Sequence, residues 1–302
     1  MSEQSIDLLV KNIGVLATPQ GKAPLSGNNQ GNINLIKDAF IAVNGESIVA
    51  LGTQEEMENI IIDEHTEIID AEGSLVTPGL VDSHTHLVFG GWRQKELALK
   101  LKGVSYLDIL SAGGGILSTV RHTRNASLEE LISKGRNSLD IMLAHGTTTC
   151  EAKSGYGLNT EDEIKSLKAI KELNVSHPVD IVPTFMGAHA VPEEYKDKKE
   201  EYVRLVNEEM IPRVAEENLA EFCDVFCEDR VFDINDSRKI LETGKSYGLI
   251  PKIHADEITP LGGASLAAEV KAISAEHLIH ASNEGIEDMA KAQVIAVLLP
   301  AT

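Results

Sequence analysis

Two histidines one residue apart stand in Val81-Asp82-Ser83-His84-Thr85-His86, directly after the turn signal Thr77-Pro78-Gly79. Side chains on a strand repeat every second residue, so His84 and His86 share a face and both rings can reach one cation from a rigid support. One such pair is weak alone, because two histidines also suit a polar barrel mouth. Others point the same way. Lys252-Ile253-His254-Ala255-Asp256-Glu257 and Ala275-Glu276-His277 each close a strand-like run, and barrel enzymes gather reactive groups at strand C-terminal ends. Imidazoles converging there suit zinc or iron(II) with one position open to water. Lowering the pKa of a bound water from about 15.7 to about 7 corresponds to about 12 kcal/mol, enough for hydrolysis at neutral pH.

The elements that must carry these residues follow from hydrophobic pattern. Residues 1–74 hold short runs, Ile6–Val10, Ala39–Val43 and Ile48–Leu51, bounded by Gly, Asn and Pro, which predict a small antiparallel unit with a hairpin at Asn44-Gly45-Glu46 and an irregular loop over Pro19–Asn34. Over 75–302 apolar runs alternate with amphipathic helical ones, as in a parallel sheet with crossover helices. Seven strands are expected: Leu75–Phe89, Gly146–Glu151, Ile181–Gly187, Phe222–Glu228, Ile250–Asp256, Ile273–Ile279 and Val294–Pro300. Capping boxes Ser127-x-x-Glu130 and Thr160-x-x-Glu163 mark helix starts, and the charge-dense stretch Glu193–Glu217 reads as a helix with a solvated outer face. The class is therefore α/β, with seven units where a closed (β/α)₈ barrel has eight. Unpaired parallel edges are hazardous, so the chain is expected to be a fragment lacking the eighth strand.

Composition excludes several functions. Acidic residues outnumber basic ones 47 to 27, a net charge of −20 that repels phosphate backbones and anionic membranes, so no nucleic-acid or membrane partner is expected. A 42% apolar content rules out a disordered, collagen-like or mini-protein chain. No signal peptide and no 18-residue apolar run occur, which predicts a soluble cytoplasmic protein. Cys150, Cys223 and Cys227 suggest no disulfide framework, and the last two read as core. His65, His122, His145, His177 and His280 fit no ligand pattern. Gly113-Gly114-Gly115 lacks the rest of a phosphate loop and reads as a flexible loop beside the substrate.

Thr77-Pro78-Gly79-Leu80-Val81-Asp82-Ser83-His84-Thr85-His86 closely resembles the opening of the metal-dependent amidohydrolase superfamily, whose members join a (β/α)₈ TIM-type barrel to a small β-sandwich built from both chain ends. Leu87-Val88-Phe89-Gly90-Gly91-Trp92-Arg93, Lys153-Ser154-Gly155-Tyr156-Gly157-Leu158, Thr184-Phe185-Met186-Gly187-Ala188-His189 and His254-Ala255-Asp256-Glu257 narrow the resemblance to the imidazolonepropionase family. Its members hydrolyse 4-imidazolone-5-propanoate to N-formimidoyl-L-glutamate in histidine degradation. The resemblance implies that His84, His86 and His254 ligate one divalent ion, zinc or iron. It implies that Glu257 moves a proton at a ring nitrogen, that His189 stabilises the oxyanion, and that His277 contacts the water or the carbonyl. Arg93 would clamp the substrate carboxylate with its planar fork, aided by Tyr156 and Tyr106. A homodimer follows from the same analogy. Superfamily members also carry a ligating Asp on the eighth strand; Asp256 faces away from His254 and is no replacement. Competing readings are another cyclic amidohydrolase or aminoazine deaminase, and a fragment that binds metal without turnover.

Overall fold

The computed structural model describes residues 6–21, 24–104 and 114–300, and the chain divides at Gly79 into two units, Met1–Gly79 and Leu80–Thr302. The first unit is a five-stranded sheet of β1 (Leu8–Pro19), β2 (Ile33–Asn44), β3 (Ser47–Thr53), β4 (Glu67–Asp70) and β5 (Leu75–Val76). Asn44 faces Ser47 across a two-residue turn in which Gly45 takes φ 58°, as its lack of a Cβ allows. The sheet is mixed rather than antiparallel. After β3 the chain passes a short 3₁₀ helix, Gln54–Asn59, and crosses to the far side of β1, where β4 and β5 run parallel to it. Two small apolar clusters hold this unit, one around Ile6, Leu9, Phe40 and Ala42, the other around Ile13, Leu16 and Ala39.

The second unit is a parallel sheet of seven strands in sequence order: β6 (Leu80–Asp82), β7 (Thr147–Lys153), β8 (Asp180–Ala188), β9 (Phe222–Cys227), β10 (Ile250–Ala255), β11 (Ser274–His277) and β12 (Ile295–Val297). The expected first strand Leu75–Phe89 is divided. Pro78 has no N–H to give a ladder, and the chain leaves one sheet at Val76 and enters the other at Leu80. Helices follow the strands: α1 (Gln94–Leu101), α2 (Gly115–Asn125) and α3 (Leu128–Ala144) after β6, then α4 (Thr160–Ser176) after β7. Their apolar stripes, among them Leu131, Leu139, Leu167, Ile170 and Leu173, are buried with the strand residues Ile181, Phe185, Val225 and Ile253 in one core. No helix among the described residues is long and apolar enough to cross a membrane.

Three local readings need correction or refinement. Ser127 and Glu130 form a full capping box on α3. Thr160-x-x-Glu163 does not: Asn159 caps α4 by accepting from the Asp162 N–H, and Glu163 is buried and bonded elsewhere. Residues 193–217 form a broken element, α5 (Lys199–Leu205), a π-turn (Val206–Met210) and α6 (Ile211–Glu216). Pro212 cannot donate to a carbonyl, and the wider π-turn just ahead of it, closed by Ile211 N–H to Val206 O, accommodates the gap. Tyr202, Val206, Met210 and Val214 are fully buried along it, which leaves the charged outer face to solvent as expected. The three cysteines are buried and unpaired by disulfides, as core residues should be.

Candidate active site

β6 ends at Asp82, so His84 and His86 lie in the extended segment just past the strand rather than within it. Between them Thr85 remains tied to β7, its carbonyl accepting from Lys153 N–H at 2.9 Å and its hydroxyl donating to Glu151 O at 2.6 Å. That anchoring fixes the two flanking rings, whose centroids are 5.7 Å apart. His254 arrives from the end of β10, 4.7 Å from the His84 ring and 5.8 Å from that of His86. Potential ligand atoms of His84, His86 and His254 all lie within 4.8 Å of one another.

The donor set suits a cation. His254 Nε2 and His86 Nδ1 are buried and find no partner among the described residues. Burial, reinforced by the charges of neighbouring His189 and His254, drives the His86 ring well below the usual imidazole range. Burial also lowers His254, against the opposing pull of Asp224. Neutral, buried, unpartnered imidazoles are what a divalent transition metal binds. A second group, His84, Glu151 and Glu276, has equally close atoms, but Lys252 bonds both of its carboxylates at 2.9 and 3.2 Å. An ammonium already occupies the place a second ion would need.

Around this trio stand further rings. His189, after β8, stacks on His86 at 4.6 Å with 10° between planes, and Tyr156 lies 5.4 Å from His86 and 5.2 Å from His189. Burial first and the charge of His254 second bring His189 down to about 3, so its ring is neutral. Its Nδ1 is 3.0 Å from Gly155 O, an acceptor only, so Nδ1 carries the proton and Nε2 presents a lone pair. Oxyanion stabilisation, the role expected of this ring, would require a donor there. His277 is brought to about 4 by burial and then by His254 and His84, and its Nε2 lies 3.6 Å from a Glu257 carboxylate oxygen. Glu257 itself is raised by burial and by the charge of Glu228. Left-handed backbone at Asp256 (φ 50°), His277 (φ 69°) and Leu278 (φ 59°) gathers at the ends of β10 and β11, the kind of strain found where side chains must be aimed.

Several site features lay outside the reach of motif reading. The loop 155–158 that carries Tyr156 is gathered by Glu163, whose carboxylate accepts from the N–H groups of Gly155 (3.0 Å), Gly157 (2.7 Å) and Leu158 (2.8 Å). Gly155 has φ 108°, and a Cβ there would stand 2.8 Å from Met186 O and 3.0 Å from the His189 side chain. Asp256 does not face the histidines; it accepts from Gly262, Gly263 and Ala264 N–H groups and fixes the start of the next helix. Glu228 accepts from Ile258 and Thr259 and steadies the turn after Glu257. Beneath the rings lies a buried layer of charge, Glu151, Lys153, Asp224, Lys252 and Glu276. Its sequence signal was polar residues at every second position of strands otherwise apolar.

Arg93 is exposed at the N-terminus of α1, and among the described residues no hydrogen bond or ion pair joins it to the ring cluster. Tyr106 lies outside the described residues, as does Gly113. Gly115 opens α2 and donates to Glu96 Oε1 at 2.8 Å.

Residues 67–108 match a model described as "Amidohydrolase family". Over 298 residues the chain is 55% identical to an imidazolonepropionase of Alkaliphilus metalliredigens (strain QYMF), covering 98% of this chain and 71% of that protein. It is 54% identical over 294 residues to an imidazolonepropionase of Thermoanaerobacter pseudethanolicus (strain ATCC 33223 / 39E), covering 97% and 70%. Among solved structures, a 5-methylcytosine deaminase from Klebsiella pneumoniae liganded with 5-fluorocytosine superposes with TM-score 0.64 at 12% identity over 95% of this chain and 64% of that one. E. coli guanine deaminase superposes with TM-score 0.63 at 12% identity over 97% and 66%. These two likenesses establish a shared α/β barrel-type fold. The chain spans about 70% of the length of the curated relatives it matches.

Proposed function

The chain belongs to the imidazolonepropionase family of amidohydrolases, hydrolases of C–N bonds, and we propose that it opens the ring of 4-imidazolone-5-propanoate to give N-formimidoyl-L-glutamate. The observation that carries the reading is the convergence of His84, His86 and His254 within 4.8 Å, at the end of a parallel sheet. These three would hold one divalent ion, zinc or iron(II), which when bound would supply Lewis-acid activation of water and of the substrate carbonyl.

The remaining roles fall to the chain's own side chains. Arg93 binds the propionate carboxylate, which on a chain of net charge −20 needs a local cation. His189 accepts a hydrogen bond from a ring N–H through Nε2, its Nδ1–H being held by Gly155, and so orients the ring rather than its oxyanion. Tyr156, 5.2 Å from His189, donates its phenol O–H to a substrate oxygen or nitrogen, the role also assigned to Tyr106. Glu257, raised by burial, carries a proton to the departing ring nitrogen, and His277 beside it contacts the carbonyl or the attacking water. The parallel sheet is assigned to a (β/α)₈ TIM-type barrel, the N-terminal sheet to a small β-sandwich, and the protein to a cytoplasmic homodimer, on superfamily resemblance.

The test is direct. Purified chain loaded with zinc or iron(II) is incubated with the imidazolone, and product is followed by mass spectrometry. Formimidoylglutamate from wild type and none from His254→Ala is expected. A folded, metal-loaded wild type that leaves the ring intact overturns the assignment.

A further inference from the structure

Seven side chains from five strands or strand ends form one unbroken line beneath the histidines. Starting at His254, Nδ1 lies 3.1 Å from Asp224 Oδ2. Asp224 Oδ2 receives Lys153 Nζ at 2.7 Å, and Lys153 also reaches Glu151 Oε1 at 2.9 Å. Glu151 Oε1 receives Lys252 Nζ at 2.9 Å, and Lys252 lies 3.2 Å from Glu276 Oε1. Glu276 Oε2 ends the line 2.6 Å from His84 Nδ1. Signs alternate at every step, carboxylate then ammonium, between two rings that belong to the candidate metal trio. Thr184 Oγ1 donates to Glu151 and Ser274 Oγ to Glu276 at 2.7 Å, tying the line to β8 and β11.

Alternation has a chemical consequence. Three carboxylates against two ammoniums leave one excess negative charge, which the two terminal rings face. A buried carboxylate held between an ammonium and an imidazole stays ionised and accepts only. His84 and His254 must then both carry their proton on Nδ1 and offer Nε2. For His254 that is the ring nitrogen left buried without a partner.

We propose that this line is a positioning device, in which Glu276 and Asp224, locked by Lys252, Glu151 and Lys153, fix the tautomer and orientation of His84 and His254 before any ion arrives. It deepens the metal reading of the previous subsection and rests on it. All five charged residues are buried, and each is assigned to act through the rings rather than on substrate. Outer partners of ligating histidines typically change metal affinity 10- to 100-fold, the range expected here.

Two measurements decide it. Long-range ¹H–¹⁵N spectra of metal-free wild type, assigned with His84→Gln and His254→Gln, should show both rings protonated on Nδ1; either ring protonated on Nε2 overturns the proposal. Zinc competition against a chromophoric chelator should show about 10- to 100-fold weaker binding by Glu276→Gln, with the metal-free variant retaining the wild-type circular dichroism spectrum. Cobalt(II) loaded into the same variant should give altered d–d bands. Wild-type zinc affinity in a folded Glu276→Gln variant overturns the proposal and leaves the metal reading standing. A wild type that binds no zinc removes both. If Glu276→Gln does not fold, the tautomer spectra decide on wild type alone.

Discussion

The two sides of the candidate site are constructed on opposite plans. On the side of the histidine trio, His84 and His254 stand at strand ends and rest on carboxylates that are wholly buried. On the side assigned to substrate, Arg93 is exposed at a helix start, and Tyr156 sits on a loop held from behind by Glu163. A group on a strand, or tied to one as His84 is through Thr85, cannot shift without disturbing the sheet, whereas a group on a loop is held only by what clamps that loop. The contrast teaches that the histidine trio is braced by buried charge on the sheet, while the residues assigned to substrate are set by a helix start and by a loop clamped through its backbone N–H groups.

The contrast would be broken most severely at a ligand. His254→Ala should abolish tight zinc retention and lower ring-opening kcat/KM by at least about 10³-fold, since activation of water by a metal contributes several kcal/mol and each decade is about 1.36 kcal/mol. Activity within tenfold of wild type would place the reacting ion elsewhere. Next comes acidity. His277 and His189 sit at about 4 and about 3 when folded, below the unfolded value of about 6.5, so unfolding takes up protons as the pH falls. The stability that these two rings contribute to the metal-free protein is full above about pH 6.5 and should fall from there toward pH 4, by up to about 1.4 kcal/mol per pH unit for each ring. Urea titrations at pH 7 and pH 5 read it, and equal midpoints contradict it.

Smaller effects should mark the substrate side. Arg93→Ala should raise KM about 10- to 100-fold with kcat and urea midpoint little changed, the loss of a charge-assisted contact of about 1.5–3 kcal/mol. An unchanged KM would remove the carboxylate clamp and favour a neutral substrate. Tyr156→Phe deletes one neutral hydroxyl contact, about 0.5–1.5 kcal/mol, so kcat/KM should fall by no more than about tenfold. A loss rivalling that of His254→Ala would erase the distinction between the two sides.

Sequence patterning revealed the parallel sheet well, because strands covered on both faces read as apolar runs such as Ile181–Gly187 and Phe222–Cys227. His84 and His86 were visible through their spacing. The mixed sheet of the first unit was not, since pairing direction depends on which side of β1 the chain returns to, and local pattern carries no such information. Thr160 looked like a cap because it precedes Glu163 by three; Asn159, one residue earlier, wins by bonding the Asp162 N–H, which frees Glu163 for the loop. The buried ions were readable in principle. Glu151 and Lys153, Lys252 and His254, and Ser274 and Glu276 recur at every second position, but which of them meet depends on register between strands.

The crowding at Gly155 bears on any attempt to retune substrate preference. Mutagenesis that enlarges this residue would press on Met186 and His189 together, so a library randomised there should return mostly misfolded or inert clones. Phe226, whose ring lies 6.3 Å from His189 and 6.1 Å from His254, offers a wall that can change size without forcing the backbone, and is the better starting point for engineering.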